Sequence, residues 1–214
     1  MPETMKLYND DPYLRKFSAK VTGIDESEVE LDRTAFYPEG GGQVGDTGSI
    51  GRSRVADTRI EGGRIIHVLE ATPDFSVGQE VEAEINWERR HRIMRLHSAA
   101  HIMEHFLWKR LGEIERLGSR VDERKDRADY AYDGRLPAEE LKRVEEETNR
   151  YLAECHEIEI LSDPDRPGIR IWKSGPIEML CGGTHVRNTG EIGAVRLKRK
   201  NPGRGVERVE TSIA

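Results

Sequence analysis

Near residue 88 the hydrophobic period of the chain changes, and that change constrains the fold more than any single residue does. Before it, apolar and polar residues alternate in short runs: Lys16-Phe-Ser-Ala-Lys-Val-Thr-Gly-Ile, Glu28-Val-Glu-Leu-Asp, Arg54-Val-Ala-Asp-Thr-Arg-Ile, Arg64-Ile-Ile-His-Val-Leu and Val81-Glu-Ala-Glu-Ile-Asn-Trp. A period of two puts successive side chains on opposite faces of a strand. Gly62-Gly63 and Pro73-Asp74 punctuate these runs as turns. Several short strands with no helical period between them predict a small barrel or sandwich. After Trp87 the spacing lengthens: Ile93, Leu96, Ala100, Met103 and Leu107 predict an amphipathic helix over 88–111. A second helix is expected over 137–155, with Pro137 in its first turn and Leu141, Val144, Thr148, Tyr151, Leu152 and Cys155 on one face. Asp129-Tyr-Ala-Tyr-Asp, Glu157-Ile-Glu-Ile-Leu, Ile169-Arg-Ile-Trp-Lys and Gly193-Ala-Val-Arg-Leu-Lys read as further strands. Helices mixed with non-consecutive strands are the mark of an α+β domain. The expected fold class is α+β in two domains, with residues 1–88 forming a small β-barrel and 89–214 an α+β domain.

Composition excludes several other classes. Of 214 residues, 36% are hydrophobic and 35% charged, with 34 Lys+Arg against 40 Asp+Glu for a net charge of −6. That balance is globular, because disorder needs less apolar material or a larger net charge. No apolar run approaches the ~20 residues that cross a bilayer. The opening Met1-Pro-Glu-Thr-Met-Lys-Leu lacks the basic-then-apolar order of a signal peptide. Two cysteines, Cys155 and Cys181, make no disulfide framework. A cytoplasmic protein without a membrane partner is expected.

The sharpest chemical feature is His97-Ser-Ala-Ala-His101 within the first helix. Residues four apart share a helix face, so the two imidazoles can grip one ion. Downstream, Cys181-Gly-Gly-Thr-His185 repeats the four-residue offset in a glycine-rich loop. Either pair alone is weak, and His105 repeats the spacing with His101. Together, three nitrogens and a thiolate make a zinc-type donor set. A helical zinc peptidase needs Glu directly after the first His as its base, and Ser98 stands there instead. Four protein ligands also suit a closed structural site, whereas catalytic zinc usually keeps an open position. No Asp or Glu stands beside the ligands as an obvious general base.

A second motif, Ala35-Phe-Tyr-Pro-Glu-Gly-Gly-Gly-Gln-Val-Gly-Asp-Thr-Gly, contains a literal G-x-G-x-x-G at Gly40, Gly42 and Gly45. A dinucleotide site needs a strand before that pattern and a helix after it. Pro38 and the turn-forming Asp46-Thr-Gly-Ser argue against both. The segment reads either as a long turn of the β domain or as a functional loop, with Gln43 offering its amide at the tip. A third feature is basic: from Val186 to Arg208 seven cations face only Glu191 and Glu207. Such a run is usually a solvated face, but beside a metal site it is also what a polyanion such as RNA requires.

Phe36-Tyr-Pro-Glu-Gly-Gly-Gly-Gln-Val-Gly-Asp, His97-Ser-Ala-Ala-His101 and Cys181-Gly-Gly-Thr-His185-Val-Arg-Asn-Thr-Gly-Glu-Ile-Gly, in this order, resemble the editing module of alanyl-tRNA synthetase and its free-standing relatives, the AlaX proteins. The size and order are similar to the medium-length class, AlaX-M, with no room for an aminoacylation domain. The resemblance implies a translation-factor-like β-barrel followed by a zinc-containing editing domain. It implies one Zn²⁺ on His97, His101, Cys181 and His185, and hydrolysis in trans of mischarged seryl-tRNA(Ala) and glycyl-tRNA(Ala) at the acceptor end, with alanyl-tRNA(Ala) spared. Gln43 is the candidate catalytic side chain, and Gly41, Gly42, Ser98 and Thr184 are candidate substrate contacts. In one respect the chain departs from the synthetase modules, which commonly carry Thr before the second histidine where Ala100 stands here. Two other readings remain open: an RNA-binding module with structural zinc, and a ribosomal hydrolase, since Gly41-Gly42-Gln43 echoes the tripeptide of peptide release factors.

Overall fold

The structure is a computed structural model that describes residues 3–166 and 169–214. Met1 and Pro2, the first two residues of the N-terminal stretch read above, lie outside the described residues. The chain forms two compact units, Met1–His91 and Arg92–Ala214. Strands outnumber helices, and the class is α+β. Among the described residues no helix is long and apolar enough to cross a membrane.

In the first unit the elements are β1 (Met5–Lys6), α1 (Leu7–Asp10), β2 (Lys16–Asp25), β3 (Glu28–Leu31), β4 (Arg33–Thr34), β5 (Gly48–Ile50), β6 (Ser53–Glu61), β7 (Arg64–Leu69) and β8 (Glu80–Ile85). Strands β2, β3, β7, β6, β5 and β8 close into a barrel, and β8 pairs back onto β2 from Lys16↔Glu84 to Lys20↔Glu80. Closure leaves no exposed sheet edge for another chain to extend. Alternation decides the inside: Phe17, Ala19 and Val21 of β2 and Val81, Ala83 and Ile85 of β8 are buried while their neighbours in the strand face outward. Leu31, Phe36, Ile50 and Val55 complete the core. Trp87, read as the end of a strand, is the first residue of a helix, because β8 stops at Ile85.

Among the buried polar groups of this unit is a histidine. His67 is fully buried, with Nδ1 2.9 Å from the Val29 carbonyl and Nε2 2.9 Å from Thr34 Oγ1. The carbonyl can only accept, so Nδ1 carries the proton and the ring is neutral. Burial pushes its pKa down to about 4, with the Val29 hydrogen bond opposing. The unfolded chain therefore binds a proton at a higher pH, near 6.5, than the folded chain does. Stability present above that value is lost as pH falls toward 4, by about 3 kcal/mol in all. In urea titrations from pH 7 to 4.5, His67→Gln should show a shallower loss than the native chain; identical slopes would refute the assignment.

The second unit begins within α2 (Trp87–Leu111) and continues through β9 (Arg116–Val121), β10 (Asp126–Ala131), α3 (Ala138–Ala153), β11 (Glu159–Ser162), β12 (Arg170–Ser174), β13 (Ile177–Leu180), a 3₁₀ turn (Thr189–Glu191), β14 (Val195–Gly203) and β15 (Val206–Ile213). A four-stranded sheet runs β14-β15-β10-β9, and a three-stranded sheet runs β11-β12-β13. Two sequence expectations need correction. Helix α2 is not amphipathic: Met94, Ala99 and Ile102 are as buried as the expected stripe, so the helix is covered nearly all round. Cys155 is not on the buried face of α3; it lies past the helix end, exposed, at φ +56°. Most of the basic run lies in a hairpin, in which β14 pairs with β15 from Val195↔Ile213 to Gly203↔Val206.

Candidate metal centre

The four metal-type residues come together. Their ligand atoms lie within 4.8 Å of one another. Cys181 Sγ is 3.2 Å from His185 Nε2 and 3.5 Å from His97 Nε2. Ring centroids of His97 lie 5.0 Å from His101 and 4.4 Å from His185. Tetrahedral zinc bonds of 2.0–2.3 Å place neighbouring donors about 3.5 Å apart, so the set fits such an ion. His101 Nε2 strengthens the fit: it is buried and has no hydrogen-bond partner among the described residues. An orphaned polar atom inside a protein marks a missing partner.

Local structure explains the convergence. The i, i+4 spacing on α2 stacks His97 over His101. Cys181 directly follows β13, and its N–H donates to the Arg170 carbonyl at 3.0 Å. Arg170 Nη2 in turn donates to the Gly182 carbonyl and, at 3.2 Å, to that of Gly183. Those bonds hold the glycine spacer in place, and the Gly183 N–H lies 3.4 Å from Cys181 Sγ. Burial pushes the His97 pKa down to about 4 and takes His101 and His185 well below their ordinary range, with neighbouring positive charge adding to the effect. All three rings are neutral donors near pH 7. Burial raises the Cys181 thiol, while the Gly183 N–H and the Arg170 charge work the other way.

Ser98, named above as a candidate substrate contact, packs against one of the four residues. It is fully buried, with Oγ 3.1 Å from His185 Nδ1 and 3.3 Å from the Val186 N–H, which donates to it. With Nδ1–H donating to Ser98, Nε2 would be left bare to face an ion, so Ser98 is placed to set the tautomer of His185. Removing such a support typically weakens metal binding ~10–100-fold. Ser98→Ala should show that loss in a chelator competition, and native affinity in the variant would refute the role. Thr184 is buried beside His185.

The glycine motif forms a tight turn in the first unit. Gly40 and Gln43 exchange hydrogen bonds of 3.0 and 2.9 Å across Gly41 (φ +57°) and Gly42 (φ +84°). Positive φ at both central residues is the geometry that glycine alone adopts without strain. Gly41 is the exposed tip; Gln43, expected there, is instead fully buried as the chain leaves the turn. Gly45 is also required, because a Cβ there would stand 2.1 Å from the Thr58 carbonyl oxygen.

Sequence reasoning missed a group of buried ionisable residues in the second unit. Glu104, one turn past His101 on α2, accepts from Arg116 Nη1 at 2.8 Å and from the Tyr130 hydroxyl at 3.1 Å. Burial raises the Glu104 carboxyl and pushes Asp126 up to about 8, the Glu104 charge adding to the latter. The i, i+3 offset from His101 is the one local signal that pointed to Glu104. Trp172 is fully buried with its ring 5.1 Å from that of His101.

Residues 5–89 match the family described as class II (A) tRNA synthetases. Residues 169–210, which include Cys181 and His185, match the threonyl and alanyl tRNA synthetase second additional domain. The alanyl-tRNA editing protein AlaX-M of Pyrococcus horikoshii is 38% identical over 216 residues, covering 97% of this chain and 96% of that one. The chain belongs to the AlaX family. This AlaX chain is also 36% identical to the alanine–tRNA ligases of Ignicoccus hospitalis, over 234 residues, and Saccharolobus islandicus, over 237. It spans 26% of the length of those ligases.

Proposed function

We propose that this AlaX-family chain is a trans-acting deacylase that hydrolyses the ester joining serine, or glycine, to the terminal adenosine of mischarged tRNA(Ala) and spares alanyl-tRNA(Ala). The observation that carries the reading is the convergence of His97, His101, Cys181 and His185 in a chain that is similar to an AlaX-M protein over nearly its whole length. These four residues would hold one Zn²⁺ per chain. When bound, the ion supplies Lewis-acid polarisation of an ester carbonyl or activation of a water. The other roles belong to the chain itself. Ser98 orients His185, Arg170 fixes the loop that carries Cys181, and Trp172 shields the inner side of His101 from water. The turn at Gly41 and Gly42, with Gln43 beneath it, contributes contacts to the acceptor end. The first unit is read as a translation-factor-like barrel, the second as the editing domain, and the compartment as the cytoplasm.

Discrimination has a physical basis. A site whose buried polar groups bond a substrate hydroxyl rejects an analogue lacking it by ~10⁴-fold, because those groups are left unpaired. Alanine lacks the serine hydroxyl, whereas glycine enters by size, since a smaller side chain fits a pocket that admits serine. The test is deacylation of purified Ser-, Gly- and Ala-tRNA(Ala), with bound metal counted in the same preparation. Loss of serine with alanine retained is expected. The four-donor set also favours a second reading, a tRNA-binding module with closed, structural zinc. Bound metal with no cleavage of any ester would replace the first reading by the second.

A further inference from the structure

A groove of about 730 Å³ opens between the start of α3 and strand β14, lined among others by Arg135, Leu141, Lys142, Glu145, Leu197 and Lys198. Strand alternation adds a ridge beside it. Val195 and Leu197 turn inward, while Arg196, Lys198 and Lys200 stand exposed on the opposite face of β14. With Arg135 and Lys142, which are also exposed, that makes five cations, none in an ion pair among the described residues. Three further cations nearby are paired, and Glu139 and Glu146 of α3 stand exposed outside any ion pair among the described residues. Arg199 is held by buried Glu207, Arg208 by Asp129 at 2.6 Å, and Lys125 by Glu210 at 2.6 Å. The carboxylate inside the groove is turned to the strand, since Glu145 Oε2 accepts the Leu197 N–H at 2.6 Å.

Lysines on an edge strand commonly serve only to deter pairing with another chain. Here α3 already closes that edge. Asn149 Oδ1 accepts the Val195 N–H at 2.7 Å, Asn149 Nδ2 donates to the Val195 carbonyl at 2.9 Å, and Glu145 takes the Leu197 N–H. The Val195–Leu197 part of the edge needs no further protection, so deterrence of pairing does not account for all of the unpaired cations. We propose that the α3–β14 groove and its cation ridge seat the phosphodiester backbone of the RNA substrate. Five cations outside ion pairs, in a chain of net charge −6, form the electrostatic footprint of a local polyanion contact, not of indiscriminate binding. The identity of that polyanion as tRNA rests on the deacylase reading.

The experiment measures binding of uncharged tRNA to the full chain across a salt series. Each phosphate neutralised contributes ~0.7–0.9 to the slope of log K against log salt. Lys142→Ala/Lys198→Ala/Lys200→Ala should flatten the slope by about 2 and weaken binding roughly tenfold to a hundredfold near 0.1 M salt. A control with three exposed cations removed from the first unit, Lys16→Ala/Lys20→Ala/Arg54→Ala, should keep the native slope. An unchanged slope in the first variant, or an equal loss in the control, overturns the proposal. Deacylation by the native chain is followed in parallel to separate the two claims. Cleavage with no effect of the groove variant removes the groove and leaves the deacylase; slope loss in a chain that cleaves nothing leaves the groove and removes the deacylase.

Discussion

Cys181→Ala is expected to empty the metal centre and to lower seryl-tRNA(Ala) deacylation by about 10³-fold, the equivalent of the several kcal/mol that a metal ion supplies to an acyl-transfer transition state. The thiolate is the one anionic donor of the four, so its loss removes charge neutralisation as well as a ligand. Three buried, neutral imidazoles remain. His101 Nε2 then stays an orphaned polar atom in the interior, with a cost of about 1–3 kcal/mol, and the second unit is destabilised along with losing function. Metal content by mass spectrometry and deacylation rates on the same preparation read the two effects together. Cys181→Ser is the companion variant: it keeps volume but offers a hard, protonated donor, and should hold metal weakly if at all. Undiminished hydrolysis in a metal-free Cys181→Ala protein would detach the reaction from this centre.

How much of this was legible in the sequence depends on whether the relevant signal was periodic. The donor set was, because helical spacing of His97 and His101 and the offset of Cys181 and His185 are local facts that a fold can only bring together. Strands β2 and β8 were also readable, since apolar residues alternate cleanly along them. Strand β15 was not, because its inward face carries Glu207 and Thr211 on either side of Val209. Glu207 tolerates burial through partners that the sequence cannot show: Arg199, Asn201 Nδ2 at 2.7 Å and the Leu136 N–H at 3.2 Å. Asp126 hides the inward face of β10 in the same way. The roles given to Gln43 and Ser98 were the least legible, for the sequence placed them near the site without saying which way they turn. The first lies buried under its turn, and the second lies against His185.

Asp46→Ala should destabilise the first unit by about 4 kcal/mol, because removing one member of a buried ion pair strands the other charge at a cost of ~3–5 kcal/mol. The pair is Asp46 with Arg90, and both side chains are essentially inaccessible, at 1% and 0% exposure. Arg90 Nε lies 2.9 and 2.8 Å from the two carboxylate oxygens, and Nη2 also donates to the same carboxylate. The guanidinium's remaining donors reach the Ala35 carbonyl at 2.6 Å and the Pro12 carbonyl at 3.0 Å. Asp46 also accepts the Tyr37 N–H at 2.6 Å. The pair therefore ties the two ends of the glycine-rich segment, at Tyr37 and Asp46, to the first turn of α2. Arg90→Ala should cost a similar amount by leaving Asp46 as the stranded charge. The double variant Asp46→Leu/Arg90→Met removes both charges and should recover much of the loss, since a buried pair replaced by apolar groups of similar volume is often near neutral. Urea unfolding of the two single variants and the double variant forms a closed cycle. A single-variant cost below about 1 kcal/mol would show that the site is wet in solution and that the turn is held by its own hydrogen bonds alone.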